Sequence, residues 1–219
     1  MSKWKRLSLV SVVAAVCLTA SLSFPAPSFA HDPMYPKLNV YFRLGAFGEF
    51  EGRAGNGPIQ RGGMEPGFGG GLELEVPLNP YVALGGAFEA HGVSNSRMPG
   101  SYNVSLDFFF MPRLRIPFGT HPWHGEVYFA LPIGPTVSVP HGRYSESTFS
   151  GPLSTGFGIA GGGRVGFRSN VNDIVGFFVD IGPMLHYVEY PRQLGGASYN
   201  NWDYQFVVRA GGSFGFGGG

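Results

Sequence analysis

The feature that most constrains this chain is where its charges fall. The run "VSLDFFFMPRLRIPF", residues 104–118, sets Asp107, Arg113 and Arg115 in alternation with Val104, Leu106, Phe108, Phe110, Leu114 and Ile116. A period of two belongs to a strand, whose successive side chains point to opposite faces. Eight such runs follow residue 30, at 37–50, 67–78, 80–91, 102–117, 123–139, 153–169, 174–188 and 203–216. Gly, Pro, Asn and Ser cluster between them, and no amphipathic helix of useful length intervenes.

In every run the charges share one parity. With the more apolar face taken as outward, the inward face carries Arg43, Arg113, Arg115, Arg164, Arg168 and Arg209. It also carries Glu49, Glu73, Glu75, Glu89, Asp107, Glu126 and Asp180. The outward face carries residues such as Val40, Phe42, Leu72, Val82, Val127, Phe129, Ile133, Phe157, Ile159, Val165, Phe177 and Val179. A soluble sandwich would bury the apolar side and wet the charged one. A barrel in lipid reverses this, because its outside must be apolar and its backbone fully paired.

The connections decide between the two. The links "NP", "GTHPWH" and "NVN" are short, and they alternate with the long polar links "GRAGNGPIQRGGMEP", "GVSNSRMPGS", "PHGRYSESTFSGP" and "EYPRQLGGASYNNW". Long–short alternation around an even number of strands marks an outer-membrane barrel with short periplasmic turns. Aromatic residues near the strand ends fit two girdles: Tyr81, Phe118, Trp123 and Phe216 at one rim, and Phe50, Tyr102, Tyr187 and Tyr204 at the other. The expected fold class is therefore all-β, an eight-stranded antiparallel up-and-down transmembrane β-barrel. Most of the runs exceed the roughly 9–11 residues that a tilted strand needs to cross. Pro112, Pro132, Pro135 and Pro183 lie inside runs, where each removes a ladder donor, so bulges or strand ends are expected there.

Composition agrees. Of 219 residues, 36 are Gly and 20 are Phe, and charged residues make up only 13%. The net charge of +1 gives no electrostatic case for nucleic acid. Residues 1–30 read as a signal peptide, with Lys3, Lys5 and Arg6 before the apolar "LSLVSVVAAVCLTASL" and small Ser28 and Ala30 before the cut. The barrel domain is then 31–219. Cys17 lies inside the leader, which leaves the mature chain without disulfides or cysteine-based zinc sites.

On these residues the chain resembles the small OmpA/OmpX-type outer-membrane barrel family. The eight alternating strands, the loop pattern and the last strand "YQFVVRAGGSFGF", similar to the family's assembly signal, carry the resemblance over the mature chain. The segments "ALPIGPTVSV" and "VDIGPMLHYV" echo each other and look like strands of such barrels. The resemblance implies a bacterial outer-membrane location. It implies outer-membrane lipid, lipopolysaccharide and the barrel-assembly machinery as partners.

Candidate chemistry is sparse. An eight-stranded interior is just wide enough for side chains to fill it. The near balance of inward bases and acids favours a salt-bridged plug, since a selective pore would show a ring of one sign. "EAHGVSN" offers Glu89, His91 and Ser94 as a lipid A-modifying enzyme would, but His91 and Ser94 are three apart and face opposite sides of a strand. Asp180 and His186 both face inward, yet six residues of strand separate them by roughly 20 Å. "GFGIAG" matches a dinucleotide fingerprint without the helix that fingerprint requires. His31, His121 and His124 could together take Cu²⁺ or Zn²⁺, against the plainer reading of a solvated terminus and turn, and no resident metal or cofactor is expected. The long links hold Arg53, Arg61, Arg143, Tyr144, Arg192 and Trp202, with Phe149, Tyr190 and Tyr199, as candidates for contact with lipopolysaccharide or another surface ligand. The function expected is structural, or surface interaction through these loops, and not enzymatic. The alternative is a narrow porin-like conduit.

Overall fold

A computed structural model of the chain describes residues 35–94, 102–120, 123–141, 153–172, 174–191 and 198–216. Residues 1–30, read from the sequence as a signal peptide, lie outside them. The described chain is all strand: β1 Lys37–Ala54, β2 Gln60–Met64, β3 Gly67–Asn79, β4 Val82–Ser94, β5 Tyr102–Thr120, β6 Trp123–Ala130, β7 Ile133–His141, β8 Gly156–Gly162, β9 Arg164–Asn170, β10 Val175–Tyr190 and β11 Tyr199–Gly215. All pairings are antiparallel. They close a ring of eight staves, because β11 pairs with both β10 and β1. Two staves are composite. β6 continues as β7 and β8 continues as β9, with β6 on β9 at one end and β7 on β8 at the other.

The side-chain pattern is inverted relative to a soluble protein. Phe42, Phe68, Leu72, Ile116, Phe157, Val165, Phe177 and Val179 are exposed on the outer wall. Arg43, Arg113, Arg115, Arg164, Arg168 and Arg209 are fully buried, as are Glu73, Glu89 and Asp107. Tyr41, Phe109, Met111, Tyr128, Phe178 and Met184 pack among them. Inward glycines make room for the larger rings. A Cβ at Gly166 would collide with the Tyr128 ring, and one at Gly71 with the Tyr41 ring. Small-against-large pairing of this kind fills a narrow barrel.

The short turns are fixed by local chemistry. Asn79 Oδ1 accepts hydrogen bonds from the Tyr81 and Val82 amides, both at 2.8 Å, and Asn172 Oδ1 accepts from Ile174 and Val175 at 2.9 and 2.7 Å. Each is an Asx-turn, in which a side chain takes the place of a backbone carbonyl. Near the end of β5, Gly119 adopts φ 83°, a conformation that favours glycine.

The expected runs are the observed staves, with three corrections. β1 carries one extra residue, Ala46, between the pairs Gly45–Val207 and Phe47–Phe206. This bulge reverses the parity beyond it, so Glu49 is exposed and Phe50 is buried, the opposite of the expectation. Val82, expected outward, is buried where the chain re-enters the wall beside the Asn79 turn. The first long link contains a strand of its own, β2, which extends the wall by pairing with the far end of β1.

The prolines mark a seam. Pro132 sits in the gap between β6 and β7, level with Gly163 in the gap between β8 and β9. Pro112 and Pro183 stand on the flanking staves. Their carbonyls still accept: Leu131 N donates to Pro112 O at 3.0 Å, Gly162 N to Pro132 O at 3.0 Å and Gly163 N to Pro183 O at 3.2 Å. Three prolines on three staves, with Gly163 on the fourth, thus line up where two of the staves break. Pro135 instead lies within β7, opposite Ile159.

Candidate functional site: the charged lumen

Of the thirteen inward charges expected, all but Glu49 are buried in the lumen, and Lys37 joins them. Lys37 shares the parity of Arg43 and was legible by the same rule. Two carboxylates organise the network. Glu89 receives Arg164 at 2.8 and 3.2 Å, Arg209 at 3.1 Å, Arg43 at 3.3 Å and the Tyr41 hydroxyl at 3.0 Å. This resolves an awkward register, because Arg43 and Arg209 are direct cross-strand partners and like charges so placed repel.

Glu75 receives Arg113 and, at 2.7 Å, Arg168, with Arg115 at 3.9 Å. Arg113 also holds Glu73 at 2.5 Å, and Glu126 holds Arg115 at 2.6 Å and Arg168 at 2.7 Å. Asp180 takes Arg209 and the Tyr128 hydroxyl. The guanidinium of Arg113 lies 4.2 Å from the Tyr128 ring centre, and that of Arg209 lies 4.4 Å from Tyr41. Such contacts keep buried arginines favourable once they are desolvated.

Beyond this layer, toward the end with the long connections, the lumen turns to imidazole, hydroxyl and amide. His186 Nε2 lies 3.1 Å from Asp107 Oδ2, and His91 Nδ1 lies 3.5 Å from the same oxygen. Further out, Asn103 donates to Tyr190 Oη at 3.2 Å, Tyr190 to Ser138 Oγ at 2.8 Å and Ser105 to Ser138 at 3.3 Å.

The other sequence candidates separate cleanly. Ser94 points away from His91 and donates to Glu65 at 2.6 Å, so Glu89, His91 and Ser94 form no catalytic group. Asp180 and His186 bind different partners, as their spacing required. "GFGIAG" lies in β8. Five presumed loop residues are strand residues: Arg53 in β1, bonded to Gly57 O at 3.0 Å; Arg61 in β2, paired with Glu51 at 2.9 Å; Tyr190 at the end of β10; Tyr199 at the start of β11; and Trp202 in β11, its ring 4.6 Å from Tyr187. Tyr190 is buried in the lumen rather than at a rim. His124 is buried at the short-turn end. His31, His121, Arg143, Tyr144, Phe149 and Arg192 lie outside the described residues, as does the Trp123 side chain. The pairing of Asp107 with two histidines was missed. Parity aimed all three inward, but only the cross-strand register brings them to one level.

The chain is similar in structure to the outer membrane protein OprG from Pseudomonas aeruginosa. The two share 15% sequence identity over 86% of this chain and 99% of OprG, with a TM-score of 0.54. Neisserial surface protein A aligns over 82% of this chain and 97% of its own at 13% identity, TM-score 0.37. The attachment invasion locus protein Ail of Yersinia pestis aligns over 83% of this chain and all of its own at 15% identity, TM-score 0.38. No protein-family model matches the sequence, and no curated protein sequence matches it. The fold is that of the small outer-membrane β-barrels.

Proposed function

We propose that the chain is a bacterial outer-membrane barrel with a closed lumen, acting structurally or through its external end rather than as an enzyme or a pore. The observation that carries this is the pairing of charge from wall to wall. Arg164 of β9 reaches Glu89 of β4, and Arg168 of β9 reaches Glu75 of β3, so the middle of the lumen is filled by ion pairs. A charge-selective pore would show a ring of one sign, whereas here acids and bases pair across the lumen. The short turns then face the periplasm and the long connections face outward. β1, β5, β10 and β11, at 18, 19, 16 and 17 residues, are taller than a bilayer demands and raise a collar above it. Lipid surrounds the apolar wall, and the collar with its connections is the part that meets lipopolysaccharide or a surface ligand.

Conductance of refolded protein in a planar bilayer tests the closed lumen, with a heat-dependent gel shift as the check on folding. Insertion without current steps is the expected result. Reproducible steps that change when Arg113 or Glu126 is neutralised would transfer the function to a narrow conduit.

A further inference from the structure

Just beyond the arginine layer, His91 of β4, Asp107 of β5 and His186 of β10 converge from two sides of the barrel. His186 Nε2 stands 3.1 Å, and His91 Nδ1 3.5 Å, from one oxygen, Asp107 Oδ2. The two rings are 5.4 Å apart between centroids, and one ligand atom from each residue lies within 4.8 Å of the other two. All three side chains are buried.

Three further facts bear on what this cluster can hold. Around a tetrahedral ion with bonds of about 2.0–2.1 Å, donor atoms stand roughly 3.3 Å apart. The two distances to Asp107 Oδ2 bracket that span. His91 Nδ1 is buried without a hydrogen-bond partner although it is aimed at the carboxylate, and buried polar atoms in that state call for an explanation. Charge is also available. Glu73, Glu75, Glu89, Glu126 and Asp180 each hold a guanidinium, whereas Asp107 ion-pairs with the two histidines. The Arg43 guanidinium ion-pairs with Glu89 and donates to Gln205 at 3.0 Å, while its Nη1 has no hydrogen-bond partner. Asp203, the cross-strand partner of His186, adds a second carboxylate on that wall.

We propose that His91, Asp107 and His186 bind one divalent transition-metal ion of the zinc class inside the external mouth of the barrel. Two imidazoles and a carboxylate suit zinc and its neighbours better than calcium or magnesium. The ion would join β10 to β4 and β5 across the lumen, above the arginine layer. The site stands whether or not the lumen conducts.

The test is titration of metal-free, refolded barrel with Co²⁺, followed by visible absorption, and with Zn²⁺ by calorimetry. One ion per barrel with a tetrahedral cobalt spectrum is expected. His91→Ala and His186→Ala should each weaken binding at least about tenfold, the lower end of what even an outer-shell partner contributes. His124→Ala, at the opposite end, should leave it unchanged. No saturable binding by the folded wild type would overturn the site. So would unchanged affinity in both histidine variants, or loss of binding in His124→Ala alone. If the lumen variants fail the gel-shift check, the ring-proton signals of His91 and His186 in the Co²⁺-loaded wild type decide. Large paramagnetic shifts support the site, and unshifted signals overturn it.

Discussion

Arg209 and Asp180 meet across adjacent staves in a two-point pair, Nε to Oδ1 at 2.9 Å and Nη2 to Oδ2 at 2.5 Å, with both side chains fully enclosed. Parallel double bonding of this kind is the strongest form of the interaction. Breaking one partner of a buried pair costs about 3–5 kcal/mol, because a charge is left without company. Arg209→Ala should therefore destabilise the refolded barrel by roughly that amount. Arg209→Met with Asp180→Leu should recover a substantial part. Urea titration followed by the gel shift measures both, and a double variant weaker than either single one would contradict the pairwise account.

Glu89 and Glu49 separate what parity says from what register says. Glu89 lies under three guanidiniums, and Glu49 lies exposed beyond the Ala46 bulge. Glu89→Ala should cost at least about 3 kcal/mol. Glu49→Ala should stay within about 0.5 kcal/mol of wild type. Equal losses in the same denaturant series would mean that Glu49 is inside after all.

Leu72, midway along β3, is exposed on the outer wall and pairs with Val40. Arginine on a lipid face costs about 2–4 kcal/mol near the midplane. Leu72→Arg should show that penalty in phospholipid vesicles. If it is harmless there, the outer wall does not face hydrocarbon.

Gly166 is a packing residue. Its missing Cβ is the space occupied by the Tyr128 ring. Overpacking typically costs 1–3 kcal/mol, so Gly166→Ala should lose about 1–3 kcal/mol. The same change made in a Tyr128→Leu background should cost much less. Equal costs in both backgrounds would remove the ring as the cause.

The barrel was legible because lipid makes a hard demand on every second residue. In a membrane only a closed barrel can hold Asp107, Arg113 and Arg115 on the face opposite Phe108 and Ile116 with every strand paired. What parity cannot supply is height. Asp107 and His186 are 79 residues apart and meet only because the β5–β7, β7–β8 and β8–β10 registers set β5 and β10 at one level. Local insertions are equally hidden. Nothing in "LGAFGEF" announces that Ala46 is an extra residue, so the faces of Glu49 and Phe50 were read one step out. β2 was concealed for a third reason: "QRGGM" lacks the alternation of a strand and takes its form from the edge of β1. The prolines were seen as a difficulty, and the answer to it, a shared break in two neighbouring staves, is visible only once the staves stand side by side.

The proline seam changes what holds this barrel round. A hoop derives its strength from its rim, and here half the rim is scored along one line. Arg113, beside Pro112, reaches to β3, and Arg164, beside Gly163, reaches to β4. These side chains act as spokes that tie the scored half to the intact one. The molecule is built as a wheel, and its circumference is kept true from the hub.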